Sequence, residues 1–224
     1  MKMVSYIFLG KGEGGDWRVH GVCFQQGVLT CSHYLAARRW PVAVMRLRSG
    51  YAPAMQLIHT PTLSLEPQIA AHAEAMFDVL SDPAIYEFEN GPPVSLDWLR
   101  DRFAKLERRH SKDGSELWLN WVIRLPTNEL IGYVQASVFG DGRALIAYEL
   151  GSAHWRRGYG SQAVSAMLGE LADRYAVTTH CAVLKQRNFR SRLFLEKLGF
   201  VISDPIAHAG YSVEGDEWFM QRAA

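Results

Sequence analysis

Cysteine is scarce in this 224-residue chain: Cys23, Cys31 and Cys181 form no Cys-x-x-Cys pair and match no histidine cluster. An odd set without such spacing excludes a disulfide framework and a zinc site, and it fits a reducing cytoplasm. An excess of one charge is missing too. Lys and Arg number 24 against 23 Asp and Glu, so no global field favours nucleic acid or a membrane surface, and any electrostatic argument must be local. No run of about 18 apolar residues occurs, which removes a spanning helix. The apolar patch from Val4 to Leu9 is too short, and too soon followed by Lys11, Glu13 and Asp16, for a secretory signal.

What is present is ordinary globular composition, 48% hydrophobic and 21% charged, enough for one large domain or one domain with an appendage. Residues 1–55 show no sustained period. Gly10, Gly12, Gly14 and Gly15 crowd together, and Arg38, Arg39, Arg46 and Arg48 surround Trp40-Pro41. This segment reads as an N-terminal extension, and a nucleic-acid arm is the less favoured alternative. From residue 56 to 224 the pattern is that of a folded domain. Thr62-Leu63-Ser64-Leu65 alternates as a strand, and Pro67 opens a helix carrying Ile69, Ala73, Met76, Phe77 and Leu80 until Asp82-Pro83 stops it. Ser95 is an N-cap for a second helix whose Arg100, Arg102, Lys105, Arg108 and Arg109 read as a solvated face. Strands follow at 117–124 and 130–139, with Trp118, Trp121 and Tyr133 as core aromatics.

The chain is organised around residues 144–201. An apolar run, Ala144 to Leu150, leads into His154-Trp155-Arg156-Arg157-Gly158-Tyr159-Gly160-Ser161, and Ala163, Val164, Met167, Leu168, Leu171 and Tyr175 then repeat at helical spacing. Strand, basic glycine turn and helix form an anion site, because unpaired amides at the helix start point outward with the positive dipole end behind them. The spacing fits neither a P-loop nor a dinucleotide fingerprint. A strand at 177–184 and a helix from Asn188, ending at Gly199, complete this half, and Phe200–Ile202 with 217–222 closes the sheet as a hairpin.

Trp155-Arg156-Arg157-Gly158-Tyr159-Gly160 resembles the acyl-CoA loop of the GNAT acetyltransferase superfamily, and within it the RimJ/RimL type. Asn188-Phe189-Arg190-Ser191 followed by Glu196-Lys197-Leu198-Gly199-Phe200 is similar to a second block of that type. The resemblance covers roughly residues 56–222. It implies an α/β (α+β) GNAT fold: a mixed sheet of about seven strands, an antiparallel meander then a splayed parallel pair, flanked by about four helices.

The resemblance also implies acetyl-CoA as co-substrate and no metal. The coenzyme would contact Leu150, Arg156, Arg157, Gly158, Tyr159, Gly160, Ser161 and Asn188. The expected reaction is acetyl transfer to a primary amine, of a protein N-terminus or a small molecule, by direct attack in a ternary complex. Leu145 stands where many relatives place a glutamate, so Glu149, four residues on along the same strand face, is the candidate base, with His154 a weaker one. Leu195 replaces the usual acidic tyrosine, and Ser191 becomes the candidate proton donor. Those two leucines motivate an alternative, a CoA-binding regulatory module without turnover. The acceptor is a small-molecule or peptide amine, a homodimer is left open, and membrane or nucleic-acid partners are not expected.

Overall fold

The computed structural model describes residues 53–88, 90–204, 211 and 213–224. The features expected within residues 1–52 lie outside the described residues. Two short strands come first, β1 (Ile58–His59) and β2 (Ser64–Pro67), then helices α1 (Ala73–Leu80) and α2 (Leu96–Leu106). A meander of β3 (Glu116–Arg124), β4 (Leu130–Phe139) and β5 (Arg143–Leu150) leads into α3 (Tyr159–Tyr175). The chain closes with β6 (Thr179–Lys185), α4 (Phe189–Lys197), β7 (Val201–Ile202) and β8 (Glu217–Ala223).

These strands form one sheet in the order β1-β2-β3-β4-β5-β6-β8-β7, in which only β5 and β6 run parallel. It is the mixed α/β sheet expected, with two-residue strands at both edges. Pro67 does not open a helix. It ends β2 opposite Trp121, the Gln68 amide bonds to Asn120 O, and helical structure begins only after it, with a 3-10 turn at Ala70–His72 that runs into α1 at Ala73. The other punctuation holds. Ser95 Oγ accepts from the Trp98 amide, and α4 ends in a Schellman closure, with Gly199 at φ +86° and Phe200 N–H donating to Leu195 O.

Alternation along the strands divides the core. Odd residues of β3 and even residues of β5, among them Trp121, Ile146 and Tyr148, pack under α3 and α4 together with Met167, Leu171 and Phe194. Val122 and Tyr133 face the other way, against Met76, Leu80, Leu99 and Phe103 of α1 and α2. A third patch, Cys181, Val183 and Phe219, lies beneath Tyr211 and Val213. The segment before β2 straps α3 to the sheet. Tyr175 and Arg174 donate to the carbonyls of Pro53 and Ala54, and Thr60 and Thr62 donate to Gln162 Oε1 in the first turn of α3.

Candidate active site

The turn between β5 and α3 is built by a few fixed contacts. Asp82 Oδ2 accepts from the Ser152 amide at 3.0 Å, and the Trp155 indole Nε1–H donates to Leu150 O at 2.7 Å. Arg156 and Gly158 then take left-handed conformations, φ +62° and +83°. At Gly158 a side chain would meet no atom of the described residues within 4 Å, so the glycine answers to backbone conformation and leaves open space in front of the helix. Gln162 N–H bonds to Gly158 O, whereas the amides of Tyr159, Gly160 and Ser161 precede the first intrahelical acceptor. Arg156 and Arg157 are exposed beside them. The place combines donors, dipole and cations, and it fits a diphosphate.

Next to this turn the sheet opens. Parallel pairing of β5 with β6 stops after Arg143/Thr179, Ala144/His180 and Leu145/Cys181, although β5 continues to Leu150 and β6 to Lys185. On the other side of β5, Gly151 N–H donates to Ile131 O, in line with the pairing of Glu149 with Tyr133. Antiparallel ladders alternate, so the amides and carbonyls of Ile146, Tyr148 and Leu150 face the opening. Trp155 takes the Leu150 carbonyl, which leaves the Leu150 amide and the Tyr148 groups as the polar lining of the gap. Gly132 permits the tight β4–β5 approach here, since a Cβ on it would lie 2.1 Å from Glu149 O.

The structure sets the two proposed proton carriers on opposite faces of the sheet. Glu149 is buried, at 3% exposure, and shares its face with Tyr133. Ser191 is fully buried in α4, on the face of Tyr148, whose ring meets Phe194 edge-on at 5.1 Å. Asn188, also buried, caps α4: its Oδ1 accepts from Ser191 N–H at 3.1 Å, so it fixes the serine in place. The Tyr148 hydroxyl approaches Ser191 without a hydrogen bond of normal geometry, and burial holds its pKa far above the ordinary phenol value. His154, the weaker candidate base, is half-buried at the end of the Ser152–His154 3-10 turn, and its Nε2 lies 3.1 Å from Glu129 Oε1. Leu195 is sealed in the core and Leu145 packs against the patch at Cys181.

Beside Glu149, under α2, lies a cleft of about 400 Å³, its open mouth included. Tyr86, Trp98, Arg102 and Tyr133 line it, with Gln68 and Gln135 at its side. Here α2 departs from a solvated basic face. Arg100 stays outside with Asp97, but Arg102 sits over the Trp98 ring at 5.7 Å and lines the cleft, and Arg109 turns back to Gln68 O.

The family described as acetyltransferase (GNAT) domain matches residues 62–201. The chain belongs to the GNAT acetyltransferase family. An uncharacterized N-acetyltransferase p20 of Bacillus licheniformis is 26% identical over 117 residues, which are 51% of this chain and 65% of that protein. Among solved structures, RimL, a ribosomal L7/L12 alpha-N-protein acetyltransferase in complex with coenzyme A, superposes with a TM-score of 0.64 at 18% identity, over 75% of this chain and 98% of that one. The ribosomal-protein-S5-alanine acetyltransferase of Vibrio fischeri gives 0.62 at 15% identity, over 75% and 97%. Both likenesses are of fold. Members of the GNAT family use acetyl-CoA, and the open β5–β6 gap and basic glycine turn of this chain suit that coenzyme.

Three residues of the site were not legible in the sequence as site residues. Tyr148 reads as one more member of an apolar run, although its neighbour Glu149 marks where the run meets the gap. Gln68 and Arg102 carry no motif; only the cleft, formed by elements far apart in the chain, brings them together.

Proposed function

We propose that residues 56–224 form an acetyl-CoA-dependent N-acetyltransferase domain that acts on a primary amine bound in the cleft beneath α2. The observation that carries this reading is the parting of β5 from β6 immediately before the turn at Gly158, because it pairs an anion site with a strand edge whose polar groups are turned into the gap. Arg156, Arg157 and the amides of Tyr159, Gly160 and Ser161 would hold the diphosphate. The Leu150 amide and the Tyr148 backbone would hold the arm, and Asn188 acts through α4. When bound, acetyl-CoA supplies the acetyl group as an activated thioester.

The chain's own residues then have three tasks. Fixing the amine and coenzyme in one geometry removes much of the entropic barrier, about 7 to 11 kcal/mol in well-placed systems. The Glu149 carboxylate, on the cleft side, receives the proton of the ammonium. The Ser191 hydroxyl, on the α4 side, relays to the departing sulfur the second proton that the attacking nitrogen gives up, and so is left unchanged. Base and donor on opposite faces suit an amine that approaches from the α2 side and a thiol that leaves toward α4.

Calorimetry with CoA, followed by thiol release from acetyl-CoA with a panel of amines, tests the reading. Binding lost on charge reversal of Arg157, together with amine-dependent thiol release, supports it. Binding without release for every amine would leave a coenzyme-binding module, and no binding at all would end both.

A further inference from the structure

The cleft beneath α2 has an uneven charge pattern that bears on what it accepts. Among the described residues that line it none is acidic, and Arg102 alone is charged. Gln68 also lines it, is only 2% exposed, and its amide Nε2 makes no hydrogen bond among the described residues. A buried donor without an acceptor is costly and uncommon, and this one borders a space large enough for a ligand oxygen. At the other end Glu149 stands across from the lining residue Tyr133. The Tyr86 hydroxyl lies within electrostatic reach of both charges: Glu149 raises its pKa and Arg102 lowers it, while burial dominates. Between the two ends the walls are apolar and aromatic, from Leu80, Trp98 and Phe103.

Resting on the acetyl-transfer reading above, we infer that the acceptor is a small amine that carries a carboxylate on an apolar body, its ammonium placed at Glu149 and its carboxylate held by Arg102 and Gln68. A guanidinium presents a planar donor fork that matches a carboxylate, and the glutamine amide adds the second direction of contact. A polyamine offers no acceptor for the Gln68 amide donor or the Arg102 guanidinium. A carboxylate could come from a free amino acid or from the end of a short peptide, which places it one residue further from the amine.

The test uses the full chain with acetyl-CoA and thiol release, comparing phenylalanine, phenylalaninamide, 2-phenylethylamine, spermidine and the dipeptide phenylalanyl-glycine. We expect kcat/KM for a carboxylate-bearing acceptor at least 10-fold above its amide and decarboxylated partners, with spermidine lowest; the dipeptide arm decides between free amino acid and peptide. Arg102→Met should bring that ratio below about 3, and Gln68→Leu should lower it in the same direction, each with CoA binding by calorimetry unchanged as proof of folding. Equal rates for acid and amide, a preference for spermidine, or a ratio untouched in both variants overturns the inference while leaving acetyl transfer intact. Binding of N-acetylphenylalanine, followed by tryptophan fluorescence, separates the two readings. If it binds in an Arg102-dependent way and no amine turns over, the transfer reading falls and the carboxylate site stands; if it fails to bind in the presence of CoA, the site falls.

Discussion

Trp155 Nε1 and Leu150 O, 2.7 Å apart, tie the glycine turn to the last residue of β5. That bond sets the turn's position over the gap, and it also removes a carbonyl from the strand edge. Replacing Trp155 by Phe keeps the ring and deletes the donor, leaving the buried Leu150 carbonyl without it. Urea unfolding should show a loss of about 1 to 2 kcal/mol, and calorimetry a CoA affinity about 5-fold to 10-fold weaker.

Gly158→Ala separates backbone strain from ligand contact. At φ +83° a side chain costs roughly 1 kcal/mol or more of stability, although it meets no atom of the described residues. The new methyl group would enter the space in front of the first helical amides. CoA affinity should therefore fall about 10-fold or more in calorimetry, beyond what the modest stability loss in urea unfolding accounts for.

At Gly132 the expectation is reversed, with a large effect on folding. A Cβ there would overlap Glu149 O at 2.1 Å and crowd the Leu150 backbone at 2.9 Å. Gly132→Ala should lower stability by about 2 to 3 kcal/mol in urea unfolding and displace the Glu149 carboxylate with it. A variant as stable as the parent would show that β4 and β5 do not approach this closely.

The proton carriers give distinct signatures. Glu149→Gln should lower kcat/KM about 100-fold or more with CoA affinity unchanged, and Ser191→Ala should lower kcat about 10-fold or more. Tyr148→Phe tests whether the neighbouring phenol shares the serine's task; a kcat loss as large as that of Ser191→Ala would move the role to Tyr148.

His180 gives the fold a pH dependence. It is buried on β6, close to the Leu168 carbonyl without a hydrogen bond of normal geometry. Burial, aided by Arg222 opposite it, pulls its pKa from 6.5 down to about 4. Because the unfolded chain takes up this proton first, stability is intact above about pH 6.5 and declines as pH falls toward 4, by about 3 kcal/mol in full. His180→Phe should flatten the slope of urea-unfolding free energy between those values.

Much of the fold was legible because local signals agreed with it. Ser95, Asp82-Pro83 and Gly199 punctuate helices by chemistry that acts within a few residues, and the alternation in β3 to β5 follows from burial on two faces. Pro67 misled, since a proline suits the first turn of a helix and equally the last residue of a strand, and pairing with Trp121 decided between them. The glycine turn was legible through its residue types. The inward turn of Arg102 was not, because the charges along α2 look alike until the strand beneath one of them proves polar.

The parted strands have a mechanical consequence. Only three ladder pairs hold β5 to β6, so the sheet carries a seam along its middle. A coenzyme arm bonded to the Tyr148 and Leu150 edge would act as a missing rung across that seam, adding to the sheet what the shared core beneath it already supplies by packing.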